Sequence, residues 1–412
     1  MEFKLDIIKC TTFDEIKDKV SKQLERYSDI FPKQKNAKVL LKPNLNSNMN
    51  ALTGNTTDLR ILSAVIVYLK DRGYTNITIG EGTNSGFYRN NISVISRLEV
   101  DRLAKYFDIS IIDLNESTPH QICFDKNIKA SVSKEVIEAE LLINLPKLKT
   151  HFENGMTVCL KNLMGCLIGQ ENKKKAHDNL PENILRINDI VKPHIHIVDA
   201  VIGMEGLGPT KGVPVRLDRI IIGTDPYLID LACASMAMFD YRKVRTLELA
   251  QKKGILTKEY FDFIESIDFS SCRKKFAPPV AGLLATFIHN PKRQKFFLKI
   301  RNTAFFSYLA STDWFGKLLY LTDLRQDVFL SKEKVFNRLV IDESLCDDCG
   351  ICRSVCPLGI SLPDDIEKIE TCIQCLYCYS VCPRKAIKFE GNLGFFSEQI
   401  EQYDKIIRNI YK

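Results

Sequence analysis

The sequence predicts an α/β fold: a mostly parallel sheet with flanking helices, followed by a helical connector and a small, cysteine-rich α+β domain. Three observations predict it. Up to about residue 257, short apolar β-branched runs alternate with amphipathic stretches. From 258 to 335 that alternation stops and the chain turns aromatic and basic. Beyond 336, eight of the fourteen cysteines crowd between Cys346 and Cys382. Runs that are apolar throughout suit strands buried on both faces, and their alternation with helices argues for a parallel sheet.

In chain order, strands are expected at 38–41, 76–80, 110–114, 140–145, 195–201 and 219–223. Helices are expected at 13–27, 58–71 and 95–107, with Asp58 as an N-cap and Gly73 as a stop just past the second. The α/β domain then covers 1–257 and the connector 258–335, with Pro278, Pro279 and Pro291 as breakers and a helical stretch at 305–321. The cysteine-rich domain follows at 336–392, and a terminal helix at about 398–411 occupies the tail, 393–412.

The totals exclude several classes. At 412 residues, 45% apolar and 26% charged, the chain has the composition of a soluble multidomain protein. Residues 1–10 lack a signal-peptide core, and no run of 18 apolar residues occurs, so no transmembrane segment and a cytoplasmic location are expected. No zinc-finger or RNA-binding signature is present, and no nucleic-acid partner is expected. The net charge of +7 is concentrated: residues 272–301 hold eight Lys or Arg and no acid, a stretch able to steer an acidic partner. The six scattered cysteines, Cys10, Cys123, Cys159, Cys166, Cys233 and Cys272, read as small core residues.

The other eight form a duplicated pattern. Cys346, Cys349, Cys352 and Cys356 are separated by two, two and three residues, and Pro357 follows. Cys372, Cys375, Cys378, Cys382 and Pro383 repeat it 26 residues later. The pattern resembles bacterial-type dicluster ferredoxins, in which three closely spaced thiolates hold one corner of an iron–sulfur cube and the fourth ligates the other cube. The resemblance implies two [4Fe–4S] clusters: one on Cys346, Cys349, Cys352 and Cys382, the other on Cys372, Cys375, Cys378 and Cys356. Zinc sites use paired CxxC knuckles far apart in sequence, which this is not. Clusters of this type imply single-electron, low-potential, oxygen-sensitive chemistry and hence an anaerobic setting.

In open α/β sheets ligands bind beyond the carboxyl ends of the strands. There the sequence places Lys42 and Asn44, Glu81, Asn144 with Lys147, Lys149 and His151, Asp199 leading to Glu205, Gly206 and Gly208, and Asp225. Lys42, Lys147, Lys149 and Lys161 suit an anionic group. Glu81, Asp199, Glu205 and Asp225 suit proton transfer or oxygen ligation, and His151 either role. Asp225 before Pro226 equally suits a helix cap. His177 suits a solvated loop, and His194 and His196, alternating at a strand start, suit structural roles. The glycines from Gly203 to Gly212 match neither phosphate-binding fingerprint.

Residues 42–44, 144–151, 161–165, Asp199 with 203–209, and Asp225-Pro226 with Asp230 resemble the signature blocks of domain-of-unknown-function family 362, over roughly 37–240. Members of that family are often fused to a dicluster ferredoxin, and the resemblance implies that these blocks, Asn162 among them, line one site. It names no substrate, and beyond the two clusters it names no cofactor. Three readings follow. In the first, the chain is an oxidoreductase passing electrons from the clusters to a substrate in the α/β domain; Lys42, Lys147 and Lys149 hold an anionic group and His151 or Glu81 handles protons. In the second, it is a carrier that docks a redox donor or acceptor protein. In the third, it is a non-redox enzyme with structural or sensing clusters.

Overall fold

A computed structural model describes residues 3–83, 91–280, 303–310 and 332–411, with isolated positions at 297, 300, 312, 314, 315 and 318. The first strands are β1 (Leu5–Lys9), β2 (Val39–Pro43), β3 (Ile77–Glu81), β4 (Ser110–Asp113), β5 (Pro119–Cys123) and β6 (Lys129–Ser133). Next come β7 (Leu141–Leu145), β8 (Lys147–His151), β9 (Gly155–Thr157), β10 (Ile195–Leu207) and β11 (Lys211–Gly223). The C-terminal region adds β12 (Val335–Ile341) and β13 (Ile387–Asn392).

The main sheet runs β1-β11-β10-β7-β2-β3-β4, with β8 joined to β10 and β9 to β8. From β10 through β4 every pairing is parallel, with Leu41 of β2 in register with Ile143 of β7 and Ile79 of β3. On the other side β11 runs antiparallel to both β10 and β1. All six expected strands are present. β8 had no apolar run to reveal it, because it alternates Lys147 and Lys149 with Leu148 and Thr150. The outer halves of β10 and β11 form a long hairpin through the glycine-rich stretch, where pairing rather than composition sets the structure.

The helix Phe13–Leu24 starts at Thr12, whose hydroxyl accepts the Glu15 N–H at 3.3 Å. The helix Leu59–Asp71 starts at Asp58, which accepts the Arg60 N–H at 2.9 Å, and Gly73 at φ 83° lies just past its end. The single helix expected at 95–107 is two, Val94–Arg97 and Val100–Tyr106. Glu99 breaks it at φ 60°, and its carboxylate there meets Lys334 of the C-terminal region at 2.6 Å. Within the connector the chain forms helices Lys258–Ser266 and Ala304–Ala310, the second overlapping the start of the helix expected at 305–321; most of the basic stretch, and seven of the seventeen positions 305–321, lie outside the described residues.

The cysteine-rich region is a two-stranded antiparallel β12–β13 pair with short helices Ile351–Val355 and Tyr377–Val381. The terminal helix, Phe396–Ile410, clamps it to the sheet. Tyr403 donates to the Gly212 carbonyl at 3.1 Å, and Gln399 accepts the Asn50 N–H at 2.9 Å. One hydrophobic core runs through both regions, joining Leu41, Ile61 and Val65 to Val355, Leu376, Val381 and Ile407. A second core covers the other face of the sheet; Tyr260, Ile264, Phe269 and Phe276 belong to it, so residues 258–276 pack as part of the α/β unit. A third lies beneath the β5–β6 hairpin around Phe124, Val132 and Leu167. The two regions are therefore not beads on a tether, because apolar burial drives their contact as it does any core.

Candidate functional site

The carboxyl ends of β2, β3 and β7 meet at one edge, and there charged side chains are buried. Lys42 and Glu81 lie 2.9 Å apart, and Lys147 and Asp199 2.8 Å apart. Arg60 meets Asp58 at 2.7 Å, and both residues are 0% exposed. Burying a charge costs several kcal/mol per ion unless a partner and further hydrogen bonds offset it. Here they do: Glu81 also accepts the Leu45 and Gly82 N–H groups at 2.9 and 2.8 Å, and Asp199 accepts that of Asp58 at 2.7 Å. Burial works against ionisation of Asp58, but the Arg60 guanidinium outweighs it and holds the carboxyl below its usual range. Burial lifts the Asp199 carboxyl, with Lys147 working the other way. Lys42 and Lys147 are thus neutralised from within the chain.

Lys149 is not. Its ammonium reaches two neutral oxygens, Asn44 Oδ1 at 2.8 Å and the Asn55 carbonyl at 2.7 Å. Burial, reinforced by Lys161, pulls its proton affinity well below that of an ordinary lysine. With Lys149 Nζ donating to Asn44 Oδ1, the Asn44 amide is oriented and a chain of amides follows from it. Asn44 Nδ2 donates to Asn162 Oδ1 and Asn162 Nδ2 to Asn144 Oδ1, each at 2.7 Å. Asn144 Nδ2 then faces His196 Nδ1 at 3.0 Å. With Nδ1 accepting, His196 carries its proton on Nε2. Burial pushes its pKa down to about 3.

Lys161 and His151 complete the group. His151 Nδ1 accepts the N–H groups of Glu153 and Asn154 at 3.1 and 3.3 Å, and its ring stacks on Phe152. Burial, with Lys161 adding, keeps this imidazole neutral, so Nε2 bears its one proton. Lys161 is partly exposed, and burial of its ammonium brings its pKa down to about 8. Among the described residues no hydrogen-bond or ion-pair partner reaches Lys161 Nζ or His151 Nε2. His177, expected in a solvated loop, holds Glu153 at 3.0 Å. His194 Nδ1 accepts the Leu142 N–H.

Four expected residues fall elsewhere. Asp225 follows β11, which runs antiparallel to its neighbour, so it sits at the opposite edge of the sheet from Glu81. It caps the helix Pro226–Met236 through the Tyr227 and Leu228 N–H groups and accepts the Tyr260 hydroxyl at 2.6 Å. Glu205 lies out on the hairpin and accepts the Ala277 N–H at 2.8 Å. Gly206 and Gly208 face Thr150: its hydroxyl donates to the Gly206 carbonyl at 2.8 Å, and a Cβ on Gly208 would strike the Thr150 carbonyl at 2.0 Å. Gly208 lets the hairpin approach β8, whereas a Cβ on Gly206 would meet nothing within 4 Å and its φ of 75° is what favours glycine there.

The loop 44–58 supplies what the sequence reading lacked. It offers the Asn55 carbonyl to Lys149, and Thr57 bridges the Asn44 N–H to the Leu145 carbonyl, each contact at 2.7 Å. Gly54, at φ 78°, lets the loop lie against β10; a Cβ there would stand 2.2 Å from the Gly203 carbonyl. Asparagine at 44, 46, 48, 50 and 55 was the signal available. Past the loop, the buried Tyr377 brings its hydroxyl to 3.5 Å from the Leu59 N–H, beside Asp58. Arg60 also donates to the Ser354 carbonyl at 3.2 Å.

The eight cysteines surround two cavities. Cys346, Cys349, Cys352 and Cys382 line one, and Cys356, Cys372, Cys375 and Cys378 line the other. Each set takes its fourth thiol from the other repeat. Among the described residues no three candidate ligands converge closely enough for a single metal ion. Backbone N–H groups of Gln374 and Ala386 point at Cys372 and Cys382 sulfurs, both at 3.3 Å. Such donors stabilise cluster-bound thiolates and tune their potential. Cys349 is exposed, whereas Ile360, Ile373, Leu376 and Tyr377 bury the second cavity. No helix among the described residues is long and apolar enough to cross a membrane.

Comparison with known proteins agrees. Residues 39–235 match the domain of unknown function DUF362, and residues 338–383 match a 4Fe-4S dicluster domain. The chain is similar to the thylakoid-associated protein sll1697 of Synechocystis sp., with 26% identity over 234 residues, 53% of this chain and 68% of that one. Among solved structures it has a likeness to the lactate racemase apoprotein of Thermoanaerobacterium thermosaccharolyticum, with TM-score 0.34 and 11% identity. That likeness covers 56% of each chain. The chain carries a DUF362 domain at 39–235 and a C-terminal 4Fe-4S dicluster domain at 338–383, and the eight cysteines between 346 and 382 fit two [4Fe–4S] clusters and imply iron–sulfur electron transfer.

Proposed function

We propose that the protein is an oxidoreductase delivering low-potential electrons to a small anionic molecule at the strand ends of the DUF362 domain. One observation carries the reading. Tyr377, between Cys375 and Cys378, packs its hydroxyl against the Leu59 amide, and Leu59 adjoins the Asp58–Asp199–Lys147 group. The cysteine loop and the polar site are contiguous, with no solvent layer between these buried residues.

When bound, each cluster supplies one electron at low potential. In this proposal Cys346, Cys349, Cys352 and Cys382 hold one, and Cys372, Cys375, Cys378 and Cys356 the other. The exposed Cys349, beside exposed Leu345, Asp347 and Asp348, marks the face a redox donor protein meets. Tyr377 and Arg60 seal the second set against the site and exclude water. The asparagine chain holds Lys149 in place. Proton transfer falls to Lys161 rather than to His151 or Glu81. Glu81 is fully engaged by Lys42 and two amides, and His151 is a neutral donor. A group at about 8 exchanges its proton most readily near neutral pH.

The test is single turnover without oxygen. Fully reduced protein is mixed separately with the low-mass and the protein fractions of an anaerobic extract, and re-oxidation is followed by visible absorbance. The low-mass fraction is expected to re-oxidise it, with conversion of one compound detectable by mass spectrometry. Re-oxidation by the protein fraction alone contradicts the reading and favours a carrier. The cytoplasmic location belongs to the same proposal, and recovery in washed membranes after cell fractionation contradicts it.

A further inference from the structure

Counting donors against acceptors separates the lysines of the site. Lys42 and Lys147 each own a carboxylate. Lys173 has three neutral acceptors for its three donors: the Gly82 carbonyl at 3.1 Å, the Thr83 carbonyl at 2.8 Å and Asn115 Oδ1 at 2.7 Å. Lys149 has two, and Lys161 none among the described residues. His151, 4% exposed, turns its protonated Nε2 to no described partner. Lys149 and His151 lie two residues apart on β8 and so share one of its faces, and Lys161 adjoins Asn162, which takes the amide of the Asn44 that holds Lys149, so the three belong to one neighbourhood.

We propose that Lys149, Lys161 and His151 form an oxyanion subsite that takes a carboxylate or phosphate group of the substrate, while Lys42 and Lys147 only hold the framework. This rests on the reading of the strand-end site as a substrate site and narrows it. A buried amine without a carboxylate is stable when it sheds its proton or when an anion neutralises it. A bound oxyanion supplies the second route, and it has the several lone pairs needed to accept from two ammonium groups and an imidazole N–H. Lys161, partly exposed, stands on the solvent side of this group, where a ligand would arrive. Among the described residues no other charged side chain of the site is left without a partner: Asp58, Glu81 and Asp199 are each taken.

The experiment is calorimetric titration of the cluster-loaded, full-length protein, without oxygen and at low salt, with inorganic phosphate and separately with oxalate. One site per chain is expected for at least one probe, and which probe binds tells phosphate from carboxylate. Lys161→Gln is expected to weaken binding roughly ten- to hundredfold, as loss of a charge-assisted hydrogen bond does, and His151→Phe roughly tenfold. Lys174→Gln, which removes an exposed partner of Glu171, is expected to leave binding unchanged. Lys161 has no partner to lose, so its variant is expected to keep the wild-type circular dichroism and cluster absorbance. No binding of either probe overturns the proposal, and so does equal binding by wild type and Lys161→Gln. Because the readout is binding alone, anion binding without electron delivery would sink the oxidoreductase reading and leave this one standing.

Discussion

The backbone N–H of Asp58 donates to the Asp199 carboxylate at 2.7 Å, and the same oxygen takes the Lys147 ammonium at 2.8 Å. Asp58 in turn holds Arg60, which reaches the Ser354 carbonyl between two cysteine ligands of the first repeat. A single buried electrostatic unit therefore spans the sheet and the cysteine-rich region, and its integrity can be measured.

Removing Arg60 leaves Asp58 ionised, buried and unpaired. Arg60→Met is expected to cost about 3–5 kcal/mol of stability, since breaking one partner of a buried pair costs more than replacing both. The double variant Asp58→Asn with Arg60→Met is expected to recover most of that loss. Anaerobic denaturant titrations of wild type and both variants check it, and a single variant as stable as wild type would refute the pairing.

Asp230 gives a pH signature. It is buried and accepts the Cys159 and Leu160 N–H groups, and burial outweighs those bonds, raising its pKa from 3.8 to about 7. The folded state thus holds the proton more tightly than the unfolded chain. Its stabilising contribution is fully present below about pH 4 and is lost as pH rises towards 7, a loss of up to about 4 kcal/mol. Asp230→Asn, which keeps one acceptor and no charge, is expected to flatten that decline and to exceed wild-type stability above about pH 7. Unfolding midpoints measured from about pH 4 to 8 decide it.

Gly54→Ala places a Cβ 2.2 Å from the Gly203 carbonyl at a backbone angle of φ 78°. Backbone on backbone cannot yield cheaply, so the loop 44–58 is expected to lift from β10, at a cost of about 1–3 kcal/mol. Hydrogen exchange of the Thr57 and Asp58 amides is expected to speed up while that of β2 stays slow. Unchanged exchange at both amides would show that the loop is held in some other way.

Much of this was legible beforehand, for physical reasons that differ by residue. The parallel strands betray themselves because burial on both faces demands unbroken apolar runs, and the duplicated cysteine spacing is dictated by the shape of the cube. Lys42, Glu81, Asn144, Lys147 and Lys149 follow from the rule that parallel strands present their ends together. Asp225 defeats the same rule because β11 turns back, and nothing local in its sequence says so. The pairing of each lysine was also hidden: Lys147 finds Asp199, 52 positions away, and Lys149 finds none. Tyr377 reads as an ordinary residue between two ligands until the fold lays it on Leu59.

Electron transfer by this protein requires two reducible cubes with exchanged ligands, and one spectroscopic comparison tests that most directly. Wild type and Cys382→Ala, both reconstituted and reduced without oxygen, are compared by iron and sulfide analysis and by EPR. The wild type is expected to show two reducible centres that interact magnetically. The variant, although altered in the second repeat, is expected to lose the centre whose other ligands are Cys346, Cys349 and Cys352 and to keep the one on Cys356, Cys372, Cys375 and Cys378. A wild-type protein with no reducible paramagnetic centre after reconstitution would contradict the account.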